Sequence, residues 1–430
     1  MRLPIFFISL CFILLLLTDW LIISDLRKLS VYNNNTPLTK KRGFWWVAYS
    51  IFAICVLILF VVAISIPRKS VAVGISPTMW MLYIVITILI SQIVYCIFSL
   101  LGFLPSIFGW KRWNTGLWVG LPMGVLFFSM MWWGALVGRY RIQVYDVNIE
   151  SGRLPTSFNG YKIAQISDLH VGSWGNDTVF LNRLVQKVNG LHPDLIVFTG
   201  DLVNREAGEL SPFVKTLSRL SAPDGVLSIL GNHDYGDYVM WNSEEEKQSN
   251  LKKLKNYEKE MGWRLLDNRH ISISNLMGDS IILIGVGNWG GPPFSQYGNL
   301  KEAYPEQNLN DGQFKILLSH NPEHWNREVS KISNIDLTLA GHTHAMQIML
   351  SLGDRRWSPA KYKYSQWGGL YSKSTQSKYP EYLYVNIGAG EVGLPMRIGA
   401  TPEITLITLH SSPFKAECKA GFHGSYPNGS

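Results

Sequence analysis

Four stretches almost free of charge, Pro4 to Ile23, Gly43 to Ile66, Pro77 to Phe108 and Gly116 to Val137, limit what this chain can become more than any other feature. Each reaches the roughly 20 residues that a helix needs to cross a hydrocarbon core of about 30 Å, and in lipid only helices and closed barrels satisfy their own backbone hydrogen bonds. Residues 1–138 are therefore expected to form a transmembrane domain of four helices. Trp45, Trp46, Trp80, Trp118, Trp132 and Trp133 fall near span ends, where amphipathic rings favour the headgroup layer. Asp19 lies toward the end of the first span beside Trp20, so an interfacial position and no special role are expected for it. Gln92 is the clearest central polar group, and no transport path is visible. The first span lacks a small-residue cleavage site and three more follow, which reads as an uncleaved helix rather than a signal peptide.

The net charge of +8, from 39 Lys+Arg against 31 Asp+Glu, would suggest a nucleic-acid partner in a soluble chain. Here much of the excess flanks the spans, so no nucleic acid is expected. Arg27, Lys28, Lys40, Lys41 and Arg42 follow the first span and Lys111 and Arg112 the third, whereas Arg2, Arg68, Lys69, Arg139 and Arg141 lie on the opposite side. The positive-inside rule then puts the residues after Arg139 outside the cytoplasm, in a multi-pass protein of the cell membrane. Cys11, Cys55 and Cys96 lie in the spans and only Cys418 beyond them, so cysteine usage leaves the compartment open. Residues 411–430, with Gly421, Gly424, Pro427 and Gly429, read as a disordered tail.

Residues 139–410 carry the chemistry. Leu195 to Phe198 is an apolar run without polar alternation, which suits a strand covered on both faces, and it leads through Gly200 to Asp201. Lys162 to Ser167 is a similar strand ending in Asp168-Leu-His170. The helix between them, with Leu181, Leu184, Val185 and Val188 as its apolar stripe, makes a β-α-β unit whose parallel strands end side by side. Val226 to Leu230 ends in Gly231-Asn232-His233-Asp234, Lys315 to Ser319 in His320, and Leu337 to Ala340 in Gly341-His342-Thr343-His344. Arg141 to Ile149, Ile281 to Val286, Tyr382 to Ile387 and Glu403 to Leu409 read as further strands.

Asp168, His170, Asp201, Asn232, His320, His342 and His344 are thus oxygen and imidazole donors at strand ends, with no thiolate among them. Such a set suits Mn, Fe or Zn better than a structural cysteine-type zinc site, and it exceeds what one tetrahedral ion takes. Two ions are implied. A pair sharing one carboxylate can hold a bridging hydroxide and polarise a phosphoryl group. His192, His270, His324, His410 and His423 lie in loops, at element starts or near the tail, where packing or surface roles are expected.

The blocks Asp168-x-His170, Gly200-Asp201, Gly231-Asn232-His233-Asp234, His320 and Gly341-His342-x-His344, in that order, resemble the calcineurin-like metallophosphoesterases, in particular a membrane-linked bacterial branch. The resemblance runs from Ile149 to about Leu409 and includes the closing run Val385 to Glu403. It implies an α/β/β/α sandwich of two mixed sheets behind the transmembrane domain. It also implies that Asp168, His170, Asp201 and His344 hold one divalent ion and Asp201, Asn232, His320 and His342 the other, with Asp201 shared. His233 would bond the phosphoryl group or protonate the leaving oxygen, oriented by Asp234. Ala345-Met346 departs from the glycines usual after the last histidine.

The implied activity is hydrolysis of phosphoesters, with a phosphodiester preferred and a lipid-linked or envelope substrate in view. A monoesterase or pyrophosphatase on the same core, and a non-catalytic metal-loaded scaffold or sensor, are the alternatives. Arg355 to Lys373, rich in basic and aromatic residues such as Arg356, Trp357 and Trp367, is expected to overhang the site toward lipid headgroups or to pack as an ordinary rim.

Overall fold

The computed structural model describes residues 5–31, 38–66, 74–291, 295–304, 312–332, 334–353, 355–373 and 379–411. Cys418, His423 and the expected tail from 412 onward lie outside the described residues, as do Arg2, Arg68 and Lys69. The chain divides into two compact units, residues 1–73 with 77–135 and residues 74–76 with 136–430.

The first unit contains the helices α1 (Ile5–Val31), α2 (Leu38–Ser65), α3 (Ile75–Leu101), the short α4 (Leu104–Ile107) and α5 (Leu121–Leu136), the last continuing a π-turn over Gly116–Gly120. Four helical stretches, Phe6–Lys28, Phe44–Ser65, Ile75–Ile107 and Gly116–Tyr140, are long and apolar enough to cross a membrane. Leu15, Val56, Phe60, Val85 and Leu89 interlock inside the bundle, while Phe6, Leu17, Trp20 and Ile58 face outward, the pattern expected where lipid is the solvent. Gly116, Gly120 and Gly124 share one face, and a Cβ on them would lie 2.8–3.0 Å from Ser99, Tyr95 and Ser91 of α3. This small-residue spacing brings two helices to backbone contact, which favours association without any hydrophobic drive.

Trp80 and Trp132 stack at 6.3 Å and both pack on Tyr83, an aromatic cluster between helices. One expectation for this unit changes. Asp19 is buried, at 6% exposure, and the helix runs well past Ile23, which leaves it nearer the middle of the 6–28 stretch than its end. The physical reason is Asp25, whose carboxylate binds Arg112 at 2.9 Å and so lets polar sequence continue inside the span.

The second unit is a sandwich of two mixed sheets, as expected. One contains β1 (Gln143–Ser151), β2 (Lys162–Ile166), β3 (Leu195–Phe198), β4 (Val226–Ser228), β5 (Arg264–Leu265) and, far along the chain, β14 (Glu403–Ser411), in the order β1-β14-β2-β3-β4-β5. The other contains β6 (Arg269–Ser274), β7 (Ser280–Gly285), β8 (Lys315–Leu318), β9 (Leu337–Ala340), β12 (Gly369–Lys373) and β13 (Glu381–Val385), in the order β12-β13-β9-β8-β7-β6. A two-stranded hairpin, β10 (Leu350–Leu352) with β11 (Arg355–Trp357), stands apart from both. The apolar faces of Ile163, Leu195, Val197 and Leu227 meet those of Leu283, Ile316, Leu318 and Leu339 between the sheets. Outside the first sheet, α6 (Val179–Asn189) buries Leu181, Leu184, Val185 and Val188 as its periodicity requires; then come α7 (Val214–Leu217) and α8 (Glu244–Glu260). Ser243 Oγ accepts the Glu246 N–H at 3.3 Å and caps α8. Pairings β2-β3, β3-β4, β7-β8, β8-β9 and β9-β13 are parallel, so the carboxyl ends that carry the candidate donors come together in each sheet.

Candidate metal centre

Five of the seven donors leave their strands through left-handed backbone. Asp168, His170, Asp201, His342 and His344 have φ of +54°, +42°, +60°, +75° and +51°, the left-handed region, and Gly200 precedes Asp201 at +95°. For residues with a Cβ this conformation costs about 1–2 kcal/mol each, so the surrounding fold must hold these positions against local preference. The same conformation continues through Ala345 at +50° and Met346 at +46°, which explains why glycine suits these two positions and marks the departure at 345–346 as a strained one.

Turned this way, the side chains converge. His170 Nε2 lies 3.0 Å from His344 Nε2, and His344 Nε2 lies 3.2 Å from Asp168 Oδ1. Asp201 Oδ2 lies 3.5 Å from His170 Nε2 and 3.2 Å from His320 Nε2, and His342 Nδ1 lies 3.3 Å from His320 Nε2. Asp168 with His170 and His344, and Asp201 with His320 and His342, are two compact donor groups, and Asp201 also joins His170 and His233. Asn232 turns its Nδ2 to Tyr238 Oη at 2.8 Å and leaves Oδ1 buried without a hydrogen bond. Ring nitrogens facing one another, carboxylates between them and an unpaired amide oxygen are what divalent cations satisfy, so the residues fit such ions.

Outer contacts set which nitrogen faces inward. His320 Nδ1 bonds the Thr199 carbonyl at 2.7 Å, which turns Nε2 toward Asp201. Tyr364 Oη lies 3.1 Å from His342 Nε2, and the buried Arg397 donates from Nη2 to His344 Nδ1 at 3.2 Å. Burial, reinforced by His320, pulls His342 down to about 3 and keeps its imidazole neutral, the form that can coordinate a cation. Burial alone would raise Asp201, yet His320 and its other histidine neighbours hold it well below the usual carboxylate range.

His233 and Asp234 differ from expectation in one respect. The carboxylate of Asp234 does not reach the His233 ring. Its Oδ2 accepts from the N–H groups of Asp201 (2.9 Å) and Gly231 (2.8 Å), and its Oδ1 from Leu202 (2.8 Å) and Val203 (3.2 Å). It clamps the turn after β3 to the turn after β4, because a carboxylate beside four unpaired N–H groups satisfies them first. His233 Nδ1 is held instead by the Asn204 carbonyl at 2.6 Å, its ring stacking on Tyr238. Tyr364 belongs to the stretch 355–373 expected to overhang the site, whereas Asn204 and Arg397 carried no signal of their own, Arg397 lying within the closing run 385–403. Of the other described histidines, His270 bonds the Ala303 carbonyl, His324 Ser319 and His410 Asn148.

Gly341 gives one expected result. A Cβ there would overlap Ser167 Oγ and Asp168 Oδ2. Gly341→Ala should weaken uptake of divalent ions by about 10–100-fold, the scale of losing an outer-shell partner, measured by metal titration of the folded protein. Unchanged affinity would contradict it.

The calcineurin-like phosphoesterase family profile matches residues 161–346, and the family described as "Probable Calcineurin-like phosphoesterase, transmembrane domain" matches residues 1–139. The chain is 31% identical over 279 residues to the uncharacterized metallophosphoesterase YkuE of Bacillus subtilis, covering 64% of this chain and 87% of that protein. It is 30% identical over 276 residues to a transmembrane protein with metallophosphoesterase domain of Danio rerio, covering 62% of this chain and 57% of that one. It is also 30% identical over 240 residues to UDP-2,3-diacylglucosamine pyrophosphatase LpxG of Chlamydia muridarum, covering 46% of this chain and 68% of that one.

Proposed function

The chain belongs to the calcineurin-like phosphoesterases, a membrane-associated metallophosphoesterase with four apolar helices, and from that premise we propose that it hydrolyses phosphodiesters, among them lipid-linked ones, with two divalent ions. Asp168, His170, Asp201 and His344 would hold one ion and Asp201, Asn232, His320 and His342 the other, with Mn, Fe or Zn as the metal. The observation that carries this reading is the carboxylate of Asp201, which lies 3.5 Å from His170 and 3.2 Å from His320 and so reaches a histidine of each donor group. Bound there, such ions supply a nucleophile at neutral pH and offset the charge of the phosphoryl oxygens.

The chain's own residues do the rest. Asn204 holds Nδ1 of His233, which leaves Nε2 to bond the phosphoryl group or pass a proton to the leaving oxygen. Asp234, by tying two turns together, keeps Asp201 and His233 in register and acts as a positioning residue. Residues 139–410 are the hydrolase part and 1–138 the membrane part of this reading. A lipid-linked pyrophosphate is the second substrate reading, favoured by the name of the Chlamydia relative. Of the stretch 355–373, Trp357 and Trp367 are half-buried and Tyr364 touches His342, so it contributes to the rim, with Arg355, Lys361, Tyr362 and Lys363 left exposed for anionic groups.

The full chain in nanodiscs should lose turnover on chelation and regain it with Mn, Fe or Zn. Of a soluble phosphodiester, a phosphomonoester and a lipid-linked pyrophosphate, the diester should turn over fastest. Preference for the anhydride would favour the second reading, and inactivity on all three with every metal would defeat both. On topology, the hydrolase unit is proposed to lie outside the cytoplasm. Alkaline phosphatase fused after Ser430 should be active and a fluorescent protein that matures only in the cytoplasm dark; the reverse pattern would overturn this.

A further inference from the structure

Within the membrane unit, Asp19 sits in a polar knot between α1, α2 and α3. Tyr49 Oη donates to Asp19 Oδ1 at 2.8 Å, and Gln92 Nε2 donates both to Oδ1 and to the Tyr49 oxygen, each at 2.8 Å. Thr18 Oγ1 turns to Gln92 Oε1 at 3.0 Å and to the Leu14 and Leu15 carbonyls, and Cys96 Sγ points at the Thr18 carbonyl. Each of these donor hydrogens therefore has an acceptor other than Asp19 Oδ2. That oxygen is buried with no hydrogen-bond partner, on a residue 6% exposed.

A second carboxylate on the same helix shows the contrast. Asp25, about 9 Å further along at 1.5 Å per residue, is bound through both oxygens by Arg112 and by Ser99 and Tyr95. Its charge is matched. Among the described residues, the titratable groups that face Asp19 are Tyr49 from α2 and Cys96 from α3, neither a cation, and α5 has no titratable side chain. A bare carboxylate oxygen inside a membrane bundle is strongly disfavoured, and carboxylates kept there mark ion or proton sites.

We propose that the membrane unit binds one small monovalent cation, a proton or a sodium ion, at Oδ2 of Asp19. The knot of Tyr49, Gln92 and Thr18 holds the carboxyl so that one oxygen is occupied by donors and the other is offered to the cation. A purely structural knot needs only Oδ1.

The test uses the full chain in nanodiscs and reads its thermal midpoint against NaCl, balanced with choline chloride, and separately against pH from 5 to 9. A ligand that binds only the folded state raises the midpoint with its concentration. Asp19→Asn keeps an oxygen for Tyr49 and Gln92 but loses the charge. A sodium site gives a wild-type midpoint that climbs with NaCl and an Asp19→Asn midpoint that does not. A proton site gives a wild-type minus Asp19→Asn difference that changes with pH and is indifferent to NaCl. Parallel behaviour of the two proteins in both titrations overturns the proposal. Should Asp19→Asn not fold, reaction of wild-type Asp19 with dicyclohexylcarbodiimide, read by mass spectrometry, takes its place. Modification that falls at least fivefold with rising pH or with NaCl sustains the site; modification that varies with neither, or none at any condition, sinks it.

Discussion

Asp201→Asn should abolish hydrolysis while leaving the sandwich folded. The carboxylate Oδ2 reaches histidines from both donor groups, and Oδ1 accepts the backbone N–H of His233 at 2.8 Å. Asparagine keeps the shape and an acceptor for that N–H, so the substitution removes charge rather than packing. Turnover should fall by more than about 10³-fold, beyond the ~10²–10³ that losing one electrostatic donor costs, and bound metal per chain should drop. Elemental analysis and a phosphodiester assay measure the two together. A variant that retains both metal and a tenth of the activity would show that Asp201 is not shared between ions.

His233→Asn separates chemistry from metal binding. His233 approaches His170 edge to face at 4.8 Å and groups with His170 and Asp201, so its position alone would also suit a ligand. Its Nδ1 is occupied by the Asn204 carbonyl, and Asp201 has closer imidazole partners in His170 and His320. Burial also pulls its pKa down, so its neutral form is favoured until an anionic phosphoryl group arrives. The turnover number should fall by about 10²–10⁴-fold, the usual worth of a positioned acid or base, with metal content unchanged. Loss of metal in this variant would instead make His233 a ligand.

The four spans and the donor-bearing strand ends were legible because their signals are local. Twenty apolar residues in a row have few alternatives in lipid, and a short apolar run closed by glycine and a carboxylate specifies a buried strand and the turn beyond it. The grouping of Asp168, His170, Asp201, His320, His342 and His344 was legible for a related reason. Each ends a strand, and parallel strands deliver their carboxyl ends to one edge.

Partner choice across the fold was decided only in three dimensions. Asp234 satisfies four backbone N–H groups rather than a ring, and the carbonyl of Asn204 rather than its side chain positions His233, an interaction that residue identity does not encode. Arg397 reaches His344 across 53 positions and Gln92 reaches Asp19 across 73. Composition and spacing determined that this chain has a membrane bundle and a set of metal-type donors, because apolar length and strand termination are properties of neighbouring residues. Which oxygen each hydrogen meets, and which oxygen meets none, depends on helices and strands brought together from far along the chain, and only the tertiary structure decides that.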